Sequence, residues 1–335
     1  MFGGFFNMPH TIYNILIFDI YNLFHRAFWK HDNLTKVDGK LIPIDGICNF
    51  FSILNFYIEK YGTSDCRCYF LFDNAKTTII RRKELDENYK KNRKENEMPQ
   101  EFYDALNLVE LILKFYRNNS FIFRKEGLEA DDYVPNLIDN YIQPHDKVLL
   151  FSTDIDWCKC LLCDNQNDII VNQYTRDNEI LTTKTFEMKY GFKPTQSNIC
   201  FWKSIYGDSS DNIPSTLPNY PKEYFLDAIN RYKHVDSFIK DSLDNKLSYL
   251  DTAWKIKIRQ LQDRIRLNWI LISAIEIDVS DLENWKSECK FKPNKLLIIY
   301  SSLSIIGKFD KRIKLDNKSD SIWNMVNGET LNRAD

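Results

Sequence analysis

Residues 127–134, GLEADDYV, place Glu129, Asp131 and Asp132 within four positions, just ahead of the apolar Val134, Leu137 and Ile138. The first turn of a helix favours negative charge through its free N–H groups and dipole, and one or two acids would satisfy it. Three mutually repelling carboxylates point to a shared cation. Six more aspartates hold comparable places: Asp19, Asp73 and Asp154 end apolar runs, Asp156 lies just beyond, and Asp208 and Asp211 stand three apart in YGDSSDNIP. Any one of them alone reads as a turn former or an N-cap. Gathered in one cleft, bare carboxylates would repel and take up protons. Hard divalent cations such as magnesium or manganese, which prefer oxygen ligands, remove that conflict. None of the five histidines occurs in these motifs. A wide all-carboxylate site suits two metal ions acting on a phosphodiester.

These acids need a scaffold that brings them together. Short apolar runs rich in β-formers end at turn or polar residues: NILIFD (14–19), CYFLFD (68–73), SFIF (120–123), KVLLFSTD (147–154) and DIIV (168–171). Long helical patterns separate them, among them IDGICNFFSILNFYIEKYG and QEFYDALNLVELILKFY. Near-continuous apolar strands alternating with helices predict a parallel sheet covered on both faces. Functional groups gather at the carboxyl ends of such strands, so the terminal acids converge if the strands are neighbours. After about residue 185 the strand signals fade, and the chain reads as mostly helical down to the polar tail LDNKSDSIWNMVNGETLNRAD.

A chain of 335 residues suits one large or two small domains, and 44% apolar with 14% aromatic residues marks it as globular. The net charge of −2 argues against a uniformly basic coat but leaves room for local patches. One such patch is residues 76–94, KTTIIRRKELDENYKKNRK, with eight Lys or Arg against three acids and an embedded Tyr89. That mixture suits a single strand, with charges tracking phosphates and the ring stacking on a base. Because it follows the strand carrying Asp73, it would hang over the acid cluster. No apolar run of about 18 residues appears, so no membrane span is expected; MFGGFFNMPH lacks a charged leader, so no signal peptide is expected. Cys158, Cys160 and Cys163 in WCKCLLC lack the paired knuckles of a zinc site and read as thiols on a helix. Reduced thiols fit a cytoplasmic location.

In order along the chain, LIFDIYNLFHRAF, YFLFDNAKTTIIRRKELDENYKKNRKENEMP, GLEADD, STDIDW and YGDSSDNIP resemble the motifs of the 5′-3′ exonuclease and flap endonuclease family. That family includes the nuclease domain of bacterial DNA polymerase I and the stand-alone enzymes of tailed phages, and KVLLFSTDIDW and RIRLNWILI look closest to the phage type. The likeness covers roughly residues 12–275. It implies an α/β, PIN-like parallel-sheet nuclease domain over 12–185 with a helical arch at about 76–118. A mostly helical, helix-hairpin-helix-like DNA-binding module over 186–300 and a C-terminal extension over 301–335 would follow. It implies two or more Mg2+ ions, with Mn2+ substituting. One would lie near Asp19, Asp73, Glu129 and Asp131, and a second within Asp132, Asp154, Asp156, Asp208 and Asp211. Lys90 and Arg93 match the family's basic pair at the scissile phosphate and are the expected catalytic residues. Arg26, Arg81, Arg82, Tyr89 and Lys222 are the expected DNA contacts. The implied reaction is hydrolysis of a phosphodiester near a DNA 5′ end, at a flap or a free end, leaving a 5′-phosphate. An RNA–DNA hybrid, a single-strand-binding protein and a polymerase are further implied partners.

The chain departs from the family after GDSSDNIP. Where the family carries a glycine-rich hairpin of the form GxxGxGxK, this sequence reads STLPNYPKEY, with Ser215, Pro218 and Tyr220 at the glycine positions and Lys222 retained. Side chains, and a proline without an N–H, hinder close approach of backbone amides to a duplex phosphate. Weaker duplex anchoring is expected, and the family's K+ site at this hairpin is put in doubt. WKIKIRQLQDRIR supplies Lys255, Lys257, Arg259, Arg264 and Arg266 as compensating basics. Two other readings compete. A non-catalytic DNA-binding replication scaffold has no use for nine intact acids, and a PIN-type ribonuclease lacks the GDSSDN module.

Overall fold

The computed structural model describes residues 12–28, 34–37, 39–74, 76–91, 98–244 and 246–303. Strand β1 (Tyr13–Asp19) runs into α1 (Ile20–Phe28), the hairpin β2 (Thr35–Val37) and β3 (Lys40–Ile42), then α2 (Ile44–Tyr61) and β4 (Gly62–Leu71). Helices α3 (Lys76–Leu85) and α4 (Gln100–Tyr116) precede β5 (Ser120–Phe123), α5 (Ala130–Tyr141) and β6 (Lys147–Phe151). A short 3-10 helix (Ile155–Cys160) and strands β7 (Leu162–Asp164), β8 (Ile169–Tyr174) and β9 (Ile180–Leu181) follow. Then come α6 (Thr183–Tyr190), α7 (Gln196–Tyr206), α8 (Lys222–Arg231), α9 (Val235–Leu243), α10 (Thr252–Ile272) and α11 (Val279–Trp285). The described chain closes with β10 (Lys286–Cys289) and α12 (Pro293–Ser302).

The sheet is ordered β10-β5-β4-β1-β6-β8-β7, with β9 against β8. The inner pairings from β5 to β8 are parallel, and β10, β7 and β9 join antiparallel at the margins. The chain steps outward from β1 through β4 to β5, then returns to the other side of β1 as β6. Where the winding reverses, between β1 and β6, a doubly wound sheet leaves a crevice at its carboxyl edge.

Period-two alternation explains why the inner strands are apolar throughout. Leu16, Phe18, Cys68, Phe70, Leu149 and Phe151 face the core shared with α1, α2 and α4. Their neighbours Ile15, Ile17, Tyr69, Leu71, Val148 and Leu150 face the core under α5. Phe18 stacks on Phe151 with ring centroids 4.6 Å apart, which fixes β1 against β6. The helical half has its own core, in which Phe192, Phe201, Phe225 and Phe238 interlock between α7, α8 and α9.

Two segments differ from expectation. Helix α4, assigned to the arch over 76–118, buries Phe102, Leu108, Val109 and Ile112 in the sheet core. The described part of the overhanging segment is therefore α3 and the turn that follows it to Lys91. The helical module also ends before 300. Ile277 and Leu282 pack back beneath α5, β10 pairs with β5, and Leu296, Ile299 and Tyr300 of α12 join the sheet core. The physical reason is the free edge of β5, which β10 covers. Residues 304–335, most of the expected extension, lie outside the described residues. No helix among the described residues is long and apolar enough to cross a membrane.

Candidate active site

Each acid is held by the end of an element. Asp19 closes β1; its Oδ1 accepts the Asn22 N–H at 2.9 Å and its Oδ2 accepts the Ser152 hydroxyl at 2.9 Å. Ser152 follows β6, so this bond spans the crevice between the two strands. Asp73 lies two residues past β4 and accepts the Ala130 N–H at 2.6 Å, which ties it to the first residue of α5. Glu129 occupies the N-cap position of α5, with Asp131 and Asp132 in the first turn, and the three offer carboxylate oxygens within 4.8 Å of one another. Asp132 accepts the Glu129 N–H at 3.0 Å and the Ile275 N–H at 3.2 Å. Asp154 caps the 3-10 helix through the Asp156 N–H at 2.9 Å. Asp208 and Asp211 lie in the turn after α7, closed by paired 2.8 Å bonds between the backbones of Asp208 and Ile213. That turn needs Gly207: its φ is +79°, and a Cβ there would lie 2.5 Å from the Ser215 nitrogen.

Mutual repulsion links seven of the acids, Asp19, Asp73, Glu129, Asp131, Asp132, Asp154 and Asp156, and Lys203 and Lys90 join Asp208 and Asp211 to them. Burial and then the Asp73 charge push Asp19 well above the usual carboxylate range, with Asp154 adding to the effect. Burial, then Glu129 and Asp131, raise Asp73 to about 7. Loss of surrounding water and the Asp156 charge raise Asp154 to about 7. Asp154 itself stays exposed at the cleft mouth, so repulsion is the part of that shift that persists in a water-filled cleft. Burial and the Asp131 charge raise Asp132 to about 6.

Basic side chains answer part of this charge from inside. Arg82 donates to Glu129 at 2.6 Å and to Asp132 at 3.1 Å. Lys90 pairs with Glu129 and stands 3.6 Å from Asp211. Lys203 pairs with both Asp156 and Asp208. Asp131 sits among all of them: burial would raise it, but Lys159, Arg82, Lys90 and Lys203 hold it below the usual range. Among the described residues, by contrast, the donors to Asp19, Asp73 and Asp154 are neutral amides and hydroxyls.

The basic residues named from sequence divide three ways. Arg82 and Tyr89, expected to face DNA, are buried. Arg82 is consumed by Glu129 and Asp132, and the Tyr89 hydroxyl donates to Asp211 at 3.1 Å. The excess of acid in the cleft draws them inward. Lys90 is also buried at the cluster, and the expected catalytic Arg93 lies outside the described residues. Arg26 is half-buried on α1, while Arg81 and Lys222 are exposed. Among the described residues, the one group of three or more potential metal-binding side chains gathered closely enough to share an ion is Glu129, Asp131 and Asp132; the cysteines of WCKCLLC form none. In that motif Cys158 and Cys160 are buried and Cys163 is exposed.

Sequence reasoning missed three supporting side chains. Lys203 lies on the buried face of α7 beside Phe201, Ser204 and Ile205, and Lys159 lies between the buried Cys158 and Cys160. A lysine inside an apolar stripe demands a buried partner, and that was the available signal. Gln173, on β8 and 2% exposed, donates from Nε2 to the carbonyls of Ser152 at 2.9 Å and Asp154 at 2.7 Å. It thereby pins the loop that carries Asp154.

The donor set is all oxygen, crowded, and short of positive charge on its Asp19, Asp73 and Asp154 side, which fits hard divalent cations. A family model described as the 5′-3′ exonuclease, N-terminal resolvase-like domain matches residues 14–191. The chain is 26% identical over 267 residues to the 5′-3′ exonuclease of Buchnera aphidicola from Acyrthosiphon pisum, covering 79% of this chain and 87% of that protein. It is 26% identical over 276 residues to DNA polymerase I of Bacillus subtilis, covering 80% of this chain but 29% of the polymerase. In fold it is similar to the bacteriophage T5 flap endonuclease solved with DNA and metal ions. That match has a TM-score of 0.58 and 20% identity, and covers 87% of this chain and 99% of the phage protein. With the family model matching more than half of its residues, the chain belongs to the 5′-3′ exonuclease family.

Proposed function

We propose that this chain is a metal-dependent 5′-3′ exonuclease and structure-specific flap endonuclease that hydrolyses phosphodiesters near DNA 5′ ends. One observation carries the reading. Acids from four segments of the sheet body (Asp19; Asp73; Glu129 to Asp132; Asp154 and Asp156) meet at the carboxyl edge of the sheet, where its winding reverses, and Lys203 and Lys90 join Asp208 and Asp211 of the turn after α7 to them.

Asp19, Asp73, Glu129 and Asp131 would hold one Mg2+, and Asp132, Asp154, Asp156, Asp208 and Asp211 a second, with Mn2+ able to substitute. Bound there, the two ions would lower the pKa of an attacking water and neutralise charge on the phosphoryl oxygens. Lys90 stands against Glu129 and Asp211, where its ammonium can turn to a non-bridging phosphate oxygen as charge builds. Arg93 is assigned the same task from the sequence motif. Arg82 and Tyr89 fasten α3 and its following turn to the acid cluster, so that Lys90 is presented at a fixed height. Arg26, Arg81 and Lys222 track the phosphates of bound DNA. The substrates would include an RNA primer paired to DNA, with a single-strand-binding protein or polymerase as working partner. All eight cysteines are free thiols, in keeping with work in the cytosol.

Cleavage of 5′-labelled flap, nicked and single-stranded substrates with magnesium, manganese or chelator tests this. Asp154→Asn and Asp208→Asn should each abolish cleavage while DNA binding persists, because removing acid near phosphate relieves repulsion. If both variants cleave at the wild-type rate with magnesium, the reading fails.

A further inference from the structure

We propose that the hairpin between α7 and α8 holds its shape with neutral side-chain donors, Asn268 first among them, in the place of a monovalent cation, so that duplex binding by this chain is independent of K+. The inference rests on the DNA-binding part of the nuclease reading and goes beyond it. The family resemblance implies a K+ ion at this hairpin, and the residues present do not fit one.

Carbonyl oxygens hold K+ by replacing its water shell, so a site needs several of them turned together. A hydrogen-bond donor aimed at those oxygens brings positive charge to the place the ion would take. Here the carbonyls at the root of the hairpin are taken by donors. Asn268 of α10 is 0% exposed, and its Nδ2 donates to the Ser204 carbonyl at 3.2 Å and to the Pro214 carbonyl at 2.9 Å. The Thr216 hydroxyl donates to the Ser204 carbonyl at 2.8 Å, and the Ser215 hydroxyl to the Ile205 carbonyl at 3.1 Å. The Ile205 carbonyl also accepts the N–H groups of Thr216 and Leu217. The Tyr206 hydroxyl donates to the Tyr220 carbonyl at 3.0 Å.

The Asn268 nitrogen thus bridges one carbonyl near the end of α7 and one within the hairpin, as a bound cation would. It does so without a net charge to be balanced, and residues 212–221 carry no acid that could balance one. The Asn268 Oδ1 is buried and has no donor among the described residues, so the two carbonyls alone set which way the amide points. An acceptor left unpaired in the interior is costly. That cost is accepted here for the bridge that Nδ2 makes. Asn268 is therefore a positioning residue for the hairpin.

The test is duplex binding by the full chain, read by fluorescence anisotropy with chelator present, in KCl, NaCl and tetramethylammonium chloride at one ionic strength. Wild-type affinity should agree within about threefold in all three, because total salt alone then sets the counterion effect. A Kd that rises by more than about threefold when tetramethylammonium replaces K+ overturns the inference. Thermal unfolding in the same salts needs no DNA, and the wild-type Tm should not depend on the cation. Asn268→Ala empties the bridging place, so its Tm and duplex affinity should fall below wild type in tetramethylammonium and recover in part with K+ or NH4+. A merely structural tie would lose the same amount in every salt, and that result overturns the role given to Asn268. If the variant folds in no salt, Thr216→Val, which strips one donor from the Ser204 and Ile205 carbonyls, is read in the same way. A wild-type chain that binds no duplex in any salt sinks the DNA-binding reading, and the Tm comparison then decides this inference alone.

Discussion

Replacing one of the acids proposed to hold metal should make the metal-free protein more stable, and Asp73→Asn is the cleanest case. Asparagine keeps an Oδ1 to accept the Ala130 N–H and removes the charge that meets Glu129 and Asp131. In the folded chain Asp73 keeps its proton up to about pH 7, whereas its ordinary value is 3.8. Between those values the folded state holds more protons than the unfolded one, so rising pH destabilises it, and above about 7 the whole penalty is in place. A shift of about three units corresponds to about 4 kcal/mol. Relaxation of neighbouring carboxylates and entry of water reduce that, so a gain of about 1–3 kcal/mol, several degrees in Tm, is the expectation at pH 8. Thermal unfolding of both proteins with chelator at pH 8 and pH 4 measures it. The gap should be large at pH 8, close toward pH 4, and shrink when magnesium is added to wild type. A variant less stable than wild type at pH 8, or a gap that ignores pH, would refute the claim that Asp73 is held ionised against its surroundings.

Three further outcomes are expected. Lys90→Met should lower kcat by about 10²-fold, the usual loss when a donor to a developing oxyanion is removed, with little change in DNA affinity by gel shift. Gln173→Leu leaves the Ser152 and Asp154 carbonyls without their buried donor, which costs about 1–3 kcal/mol per group in urea unfolding. It should also weaken Mn2+ binding. Lys222→Ala should reduce the slope of log affinity against log salt on duplex DNA by about one. An unchanged slope would mean that Lys222 touches no phosphate.

The acids were legible because strand ends are legible. Asp19, Asp73 and Asp154 follow runs of residues that can only be strands buried on both faces, and topology forces their ends together. What compensates them was not legible, because burial of Arg82, Lys159 and Lys203 depends on contacts between segments far apart in the chain. Helix α4 carried its own signal. Its apolar face runs from Phe102 to Tyr116, more than a solvated arch would bury, and the family resemblance outweighed that periodicity. Strand β10, KSEC, has neither length nor alternation, and only the free edge of β5 calls for it.

The hairpin between α7 and α8 shows how the chain replaces what its missing glycines would do. Left-handed backbone is taken by Asn212 at φ +57° and Asn219 at φ +61°, residues that tolerate it best after glycine. Leu217 and Tyr220 enter the helical core, where the Tyr220 ring meets Trp254 edge-on with centroids 5.2 Å apart. The Thr216 hydroxyl donates back to the Ser204 carbonyl at 2.8 Å, at the end of α7. Side-chain anchoring of this kind fixes the turn without the flexibility that glycine brings. It also commits Leu217 and Tyr220 to the interior and puts the ring of Pro218 on the surface, where an amide would face a phosphate. A hairpin built this way is a rigid mount for Asp208 and Asp211 first and a duplex clamp second. On the proposed DNA-binding role, duplex affinity would fall to exposed side chains such as Lys222, while the acid cluster keeps its geometry.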